Sequence, residues 1–295
     1  MTTQRGWNKE RPIRSTLRWP LLCAMITFAP ISYGQPGVRP TPTQPRNIEL
    51  IASSQPGFEA AIDADFPGFR HLDGFETVRP YLTILHNNSG HDIKAYAVKW
   101  NITGLNGRNS ERTLVSWVRG GRGYLSGEVV VCRSGEARVI SPLFNWGASP
   151  TTVAARSKLF SSLARGPFAR DGSVFAIDVS IDAVVYDDAV CTGPNRTEFC
   201  ERYEDERNGE RDEAADTLQL LELNTPDDLI TARLNSDMEK GRTVADRRDR
   251  SSFLESARGR EARVLLAIFK RDGRSTVWEV SRRLVSYEQT PVRKE

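Results

Sequence analysis

From Val174 to Tyr186 apolar side chains occupy every second position without a break: Phe175, Ile177, Val179, Ile181, Ala183 and Val185. Period two over 13 residues is the signature of a β-strand, because successive side chains leave opposite faces of the pleat. Such a strand must lay one face on a core, and the chain around it must therefore supply a sheet. The alternation predicts a single continuous buried face, with Asp178 and Asp182 on the solvated one.

Other segments read as partners for this strand. Ile48, Leu50 and Ala52 alternate with Glu49, Ile51 and Ser53, and a turn of helix is expected at Glu59–Ile62. Tyr81–Leu85 runs into Asn87-Asn88-Ser89-Gly90 and returns through Ile93–Ile102, which predicts a hairpin with Tyr96, Val98, Trp100 and Ile102 on one face. A strand is expected over Thr113–Val118. A second hairpin is expected where Glu128–Cys132 and Glu136–Ser141 flank Arg133-Ser134-Gly135, with Gly at the left-handed position. Ala155, Leu159 and Leu163 recur every four residues and predict a short helix. Short strands separated by turns point to an antiparallel sandwich, since a parallel sheet would need helical crossovers.

The ends of the chain have different compositions. Residues 1–34 carry five basic side chains and one acid, ahead of an apolar run from Trp19 that ends in Ser32-Tyr33-Gly34. This is the pattern of a secretory leader cut before Gln35, and the run is too short for a bilayer span. Without it the totals of 41 basic and 38 acidic groups become 36 and 37, so the rest of the chain is near neutral. Nucleic-acid binding needs clustered positive charge and is excluded on that ground. Residues 35–45 are rich in proline and read as a linker. Residues 196–295 hold 20 basic and 22 acidic side chains and read as helical. Asn195 with Glu198, Thr225-Pro226-Asp227-Asp228, Ser252 with Glu255, and Thr276 with Glu279 mark four helix starts. The simple reading of Glu201–Glu213, which is almost free of apolar residues, is a solvated helix in a set that buries one stripe each. The sharper one is a projecting segment that meets a partner.

The expected fold class is therefore α+β: a leader over 1–34, a linker over 35–45, an antiparallel immunoglobulin-like β-sandwich over 46–192, and a charged helical segment over 193–295. Outside the cytoplasm cysteines pair. Cys191 and Cys200 flank the turn Thr192–Asn195 and are the disulfide candidates, leaving Cys132 as a buried spare thiol.

Chemistry is sparsely marked. His86 and His91 bracket a turn with Asp92 beside them, the right groups for acid–base work or metal ligation, and His71 is the remaining histidine. Asp178 and Asp182 would lie about 13 Å apart along a strand, beyond the roughly 5 to 9.5 Å that glycosidase carboxylate pairs use. Asp187-Asp188 and Glu204-Asp205-Glu206 offer calcium-type oxygens without a calcium loop. No serine elbow, phosphate loop or HExxH occurs, and Gly120-Gly121-Arg122-Gly123 lacks the lysine a phosphate cradle needs. No cofactor is implied. The expected function is a non-catalytic extracytoplasmic module that binds a protein or glycan surface, without a membrane span once the leader is removed. The alternative is a secreted hydrolase built on His86, His91 and loop carboxylates.

Overall fold

The computed structural model of the chain describes residues 38–40, 47–104, 109–117, 130–143, 158, 161–162, 174–245, 249–286 and 291–294. The alternating segment forms a strand over the residues its period predicts, β7 (Val174–Tyr186). It pairs along one edge with β4 (Ile93–Gly104), which pairs in turn with β5 (Asn109–Trp117). Its other edge is shared by β1 (Val38–Pro40), parallel to Ile177–Val179, and β8 (Val190–Thr192), which carries β9 (Arg293–Lys294). The proline-rich segment and the C-terminal end thus each add a strand, and residues 35–295 form one compact unit. A second, antiparallel sheet is built from β2 (Ile48–Ala52), β3 (Thr83–Asn87) and β6 (Ala137–Ile140), in the order β2–β3–β6.

The two sheets share a core. Ile48, Leu50, Leu85 and Ile140 come from the small sheet, and Val98, Trp100, Ile177, Val179 and Ile181 from the large one. Trp100, Leu85, Ile177 and Ile181 are fully buried, and each such side chain contributes about 2 to 3 kcal/mol. The outer face of the small sheet is covered by α1 (Phe58–Asp65) and α2 (Phe75–Val78), through Phe58, Ile62, Phe75 and Val78 against Ile84 and Val139.

Neither predicted hairpin forms. β3 and β4 belong to different sheets, so Asn87–His91 is an arch from one sheet to the other. Gly135 does take the left-handed conformation (φ 78°), but the arms it joins also part. Cys132 bridges Ile93 in the large sheet, while Ala137 begins β6 in the small one. The buried Asn87 ties the two crossovers together. Its amide donates to the carbonyls of His91 (2.8 Å) and Cys132 (3.2 Å), and its own carbonyl accepts from Gly135 N–H (2.7 Å). The large sheet is also mixed rather than purely antiparallel, because β1/β7 and β8/β9 run parallel.

The single buried face expected of β7 is also corrected. Ala97 pairs with Ala183 and Val98 with Ile181, so Asp182 is a bulge without a partner. The bulge inverts the strand's parity. Ile177, Val179 and Ile181 face the inter-sheet core, whereas Ala183 and Val185 turn outward. There, with Ala95, Ala97 and Trp117, they receive the start of α3 (Phe199–Glu222) through Phe199, Cys200 and Tyr203. Asp182 is 3 % exposed and not on a solvated face. Its carboxylate accepts from the N–H groups of Arg196 (2.9 Å) and Thr197 (3.0 Å) and from the Thr197 hydroxyl (2.5 Å), anchoring the loop into α3.

α3 then runs on, about 36 Å in all, into a bundle with α4 (Asp227–Val244), α5 (Arg250–Asp272) and α6 (Arg274–Ser286). The bundle core holds Ala214, Leu221, Ile230, Leu234, Leu265 and Val280. Three starts differ from the sequence reading. α3 begins at Phe199, with Asn195 Oδ1 accepting from Cys200 N–H. α5 is capped by Asp249, whose side chain takes Ser252 N–H (2.8 Å), and α6 begins at Arg274. Of the helix expected from Ala155, Leu159 and Leu163 only Lys158, Ser161 and Ser162 are described, each helical, while the glycines at 120–123 and the leader at 1–34 lie outside the described residues. Among the described residues no helix is long and apolar enough to cross a membrane.

Candidate functional site

The Cys191–Cys200 pair forms a disulfide (S–S 2.02 Å, Cα–Cα 6.2 Å), joining β8 to the first turn of α3. Lys294 of β9 pairs with Glu201 one residue further on, so both ends of the helical segment are fastened to the large sheet at one place. Burial pushes the Glu201 carboxyl up, but hydrogen bonds from Lys294 and Asn195 outweigh it and hold the group below its ordinary value. Cys132 is a free, buried cysteine, and burial pushes its thiol up to about 12, which removes it as a nucleophile at neutral pH.

The sequence-marked histidines are not brought together as a pair. His86 lies on β3, facing Glu49 of β2 and Ala137 of β6 across the ladder. His91 stands past the arch, where it meets the β7–β8 turn that carries Asp187 and Asp188. Its Nδ1 is 3.1 Å from Asp187 Oδ1, and one ligand atom from each of His91, Asp187 and Asp188 lies within 4.8 Å of the others. The turn is held from below: Asp187 N–H donates to Asp92 O (2.9 Å), Lys94 Nζ to Asp187 O (2.9 Å), and Val190 N–H to Asp188 Oδ1 (3.0 Å). The Asp92 carboxylate, expected to work with the histidines, instead accepts from Ser134 N–H (2.9 Å) and braces the second crossover.

These groups offer a nitrogen and two carboxylates, a donor set suited to a divalent ion. All three side chains are exposed on the surface of a turn. A cleft of about 650 Å³ lies elsewhere, between α2 and Ser161. It is lined by Arg70, Asp73, Glu76, Thr77 and Ser161, with Ser161 donating to Asp73 (2.6 Å). None of His71, His86, His91 or Asp92 lines it. Asp178 and Asp182 are separated by the bulge, and the Asp182 carboxylate is committed to the loop before α3.

A second concentration of charge escaped the sequence reading. Glu206 and Glu213 of α3 are buried, 2 % and 0 % exposed, against arginines of neighbouring helices. Glu206 meets Arg260 of α5 (2.7 Å) and Arg202 (3.3 Å), so this carboxylate is engaged with arginines. Glu213 meets Arg233 of α4 (3.3 Å) and Arg258 of α5 (3.5 Å). Burial pushes the Glu213 carboxyl up to about 7, against the pull of the two guanidinium groups. The segment Glu201–Glu213 is accordingly packed inside the bundle and does not project. The signal that would have found it is position: Glu206, Glu210 and Glu213 continue the spacing of Phe199 and Tyr203. No family model, curated protein or solved structure matches this chain.

Proposed function

We propose that the protein works outside the cytoplasm as a non-catalytic interaction module, an immunoglobulin-like sandwich that displays a helical bundle to a protein or glycan surface. The observation that carries this reading is the separation of the histidine–carboxylate cluster from the described cleft. His91, Asp187 and Asp188 are exposed on a turn, while the described cleft is lined by none of them and holds carboxylates (Asp73, Glu76) without a histidine. A hydrolase needs two or more such groups converging on a common point in a pocket. The Cys191–Cys200 disulfide supports an oxidising compartment. Leu223 and Leu229, 69 % and 56 % exposed on either side of the α3–α4 turn, favour the far end of the bundle as contact surface.

The test takes protein recovered from the extracytoplasmic fraction, starting near Gln35 by intact mass. It is screened against immobilised envelope glycans and proteins, and in parallel against ester, amide, glycoside and phosphoester substrates. Retention on a surface that survives His91→Ala but falls in the double variant Leu223→Asp/Leu229→Asp is expected. Turnover abolished by His91→Ala would replace the reading with a hydrolase, and recovery only from the cytoplasm with reactive Cys191 and Cys200 would end it.

A further inference from the structure

The buried stripe of α3 runs Phe199, Tyr203, Glu206, Glu210, Glu213, Thr217 and Leu221, so the middle of the helix presents carboxylates where its ends present apolar groups. α5 comes very close to this stretch. A Cβ added at Gly209 would press on Leu254 O and lie 2.8 Å from Ala257 Cβ. On its other side α5 meets α4 equally closely, with a Cβ at Gly241 only 2.6 Å from Gly259 Cα. Three helices are thus drawn together around Glu213, leaving no room for a hydration shell.

The charges facing that carboxyl come from each helix in contact with it. α3 contributes Asp216, α4 contributes Arg233 and Asp237, and α5 contributes Arg258, with Glu255 acting on Arg258. Lys240 meets Asp237 from solvent (2.9 Å). α6 also packs on α3 but turns Val277, Val280 and Leu284 to the core, while Arg274 goes to Asp227 and Arg283 to Glu279. Four carboxylates therefore share three cations. The short contacts of the two arginines go to Asp216 (3.0 Å from Arg233, 2.5 Å from Arg258) and to Asp237 (3.1 Å from Arg233). Glu213 is left with the long ones, and its Oε1 has no hydrogen-bond partner.

We propose that Glu213 is a proton-operated latch in the bundle: protonated, it lets α4 close on the α3–α5 pair, and ionised, it loosens α4. A proton removes the surplus negative charge. Without it, the buried carboxylate regains solvation only if a helix moves. α4 is that helix: α3 is also held by the sheet, the disulfide and α6, whereas α4 packs on α5 and meets α3 mainly through Arg233. A carboxyl whose pKa is raised by closure stabilises the closed state in acid. It gives up that stability as pH rises from about 4.5, its ordinary value, to about 7.

Hydrogen exchange of the disulfide-intact protein tests this, with rates corrected for intrinsic chemistry. Protection over residues 227–244 should fall about tenfold between pH 6 and 8.5, the ratio for a group titrating near 7 when closed and near 4.5 when open. β4 and β7 should keep their protection. Glu213→Gln should abolish the pH dependence and leave α4 protected throughout. An equal fall in Glu213→Gln, no fall in the wild type, or a fall spread over the strands each overturns the latch. Should Glu213→Gln fail to fold by circular dichroism, a carboxyl ¹³C titration of wild-type protein decides. A glutamate midpoint near 7 upholds the latch, and none above about 5.5 refutes it.

Discussion

Asp182→Ala attacks the joint between the large sheet and the helical bundle at its least visible point. The carboxylate is the acceptor for three donors, the N–H groups of Arg196 and Thr197 and the Thr197 hydroxyl, at 2.9, 3.0 and 2.5 Å. A hydrogen bond to a charged group contributes about 1.5 kcal/mol at the low end. The two backbone donors therefore account for about 3 kcal/mol, and the hydroxyl adds less because water can replace its partner. Arg196 is exposed, so part of its loss is recovered as well, and a net cost of about 2 to 3 kcal/mol is expected. Asp182→Asn puts an NH₂ opposite one donor and should cost about half as much. The assay is urea unfolding followed by tryptophan fluorescence, with Trp100 in the core and Trp117 under α3 as reporters. The fragment after Asn195 should also become easier to release. With the anchor gone, dithiothreitol should reduce Cys191–Cys200 faster in Asp182→Ala than in wild type. A cost below about 0.5 kcal/mol, or an asparagine variant as damaging as alanine, would show that the bulge and loop are held by backbone geometry alone.

Gly209→Ala should destabilise by about 1 to 3 kcal/mol, read as a lowered unfolding midpoint, because the new methyl group meets Leu254 O and Ala257 Cβ. Replacing Cys191 and Cys200 together by alanine removes a ten-residue loop and should cost about 2.5 kcal/mol from the chain entropy of the unfolded state, measurable by the same unfolding curves. Cys132 should resist iodoacetamide at pH 8 in the native protein and react fully in urea, since burial keeps its thiol protonated and covered; rapid native labelling would contradict this.

How much of this fold could be read from the sequence depends on whether the deciding contact was local. β7 was legible to the residue because an alternating run needs no partner to declare itself. Its bulge was not, because a buried Asp182 and a solvated one look identical in a pattern of polar and apolar letters. The disulfide was legible from two cysteines around a short turn. The arches at Asn87–His91 and Arg133–Gly135 were misread as hairpins because turn residues specify a reversal and not the sheet that receives the returning strand. At the candidate site the same limit applied: His91 and Asp187–Asp188 were each conspicuous, but their meeting depends on the arch carrying His91 to the far end of β7.

The glutamates of α3 were the largest omission, and they follow from one physical point: an apolar-period search cannot see a core position filled by a carboxylate. If Glu206 occupies such a position, its partner matters more than its polarity. Glu206→Met alone should cost about 2 to 4 kcal/mol, because Arg260 at 2.7 Å keeps a half-buried charge with its counter-ion gone. Glu206→Met with Arg260→Leu should recover most of that, or exceed wild type by about 1 kcal/mol, since apolar side chains of similar size avoid the desolvation penalty. Arg202 would remain comfortable in the double variant, lying over the rings of Trp117 and Phe253. Thermal unfolding of the two variants at pH 6 separates the cases. Recovery in the double variant means that α3 packs by position along one stripe, apolar or not. A double variant no more stable than Glu206→Met alone would mean that the ion pair itself fixes the approach of α3 to α5, and that Gly209 only permits it.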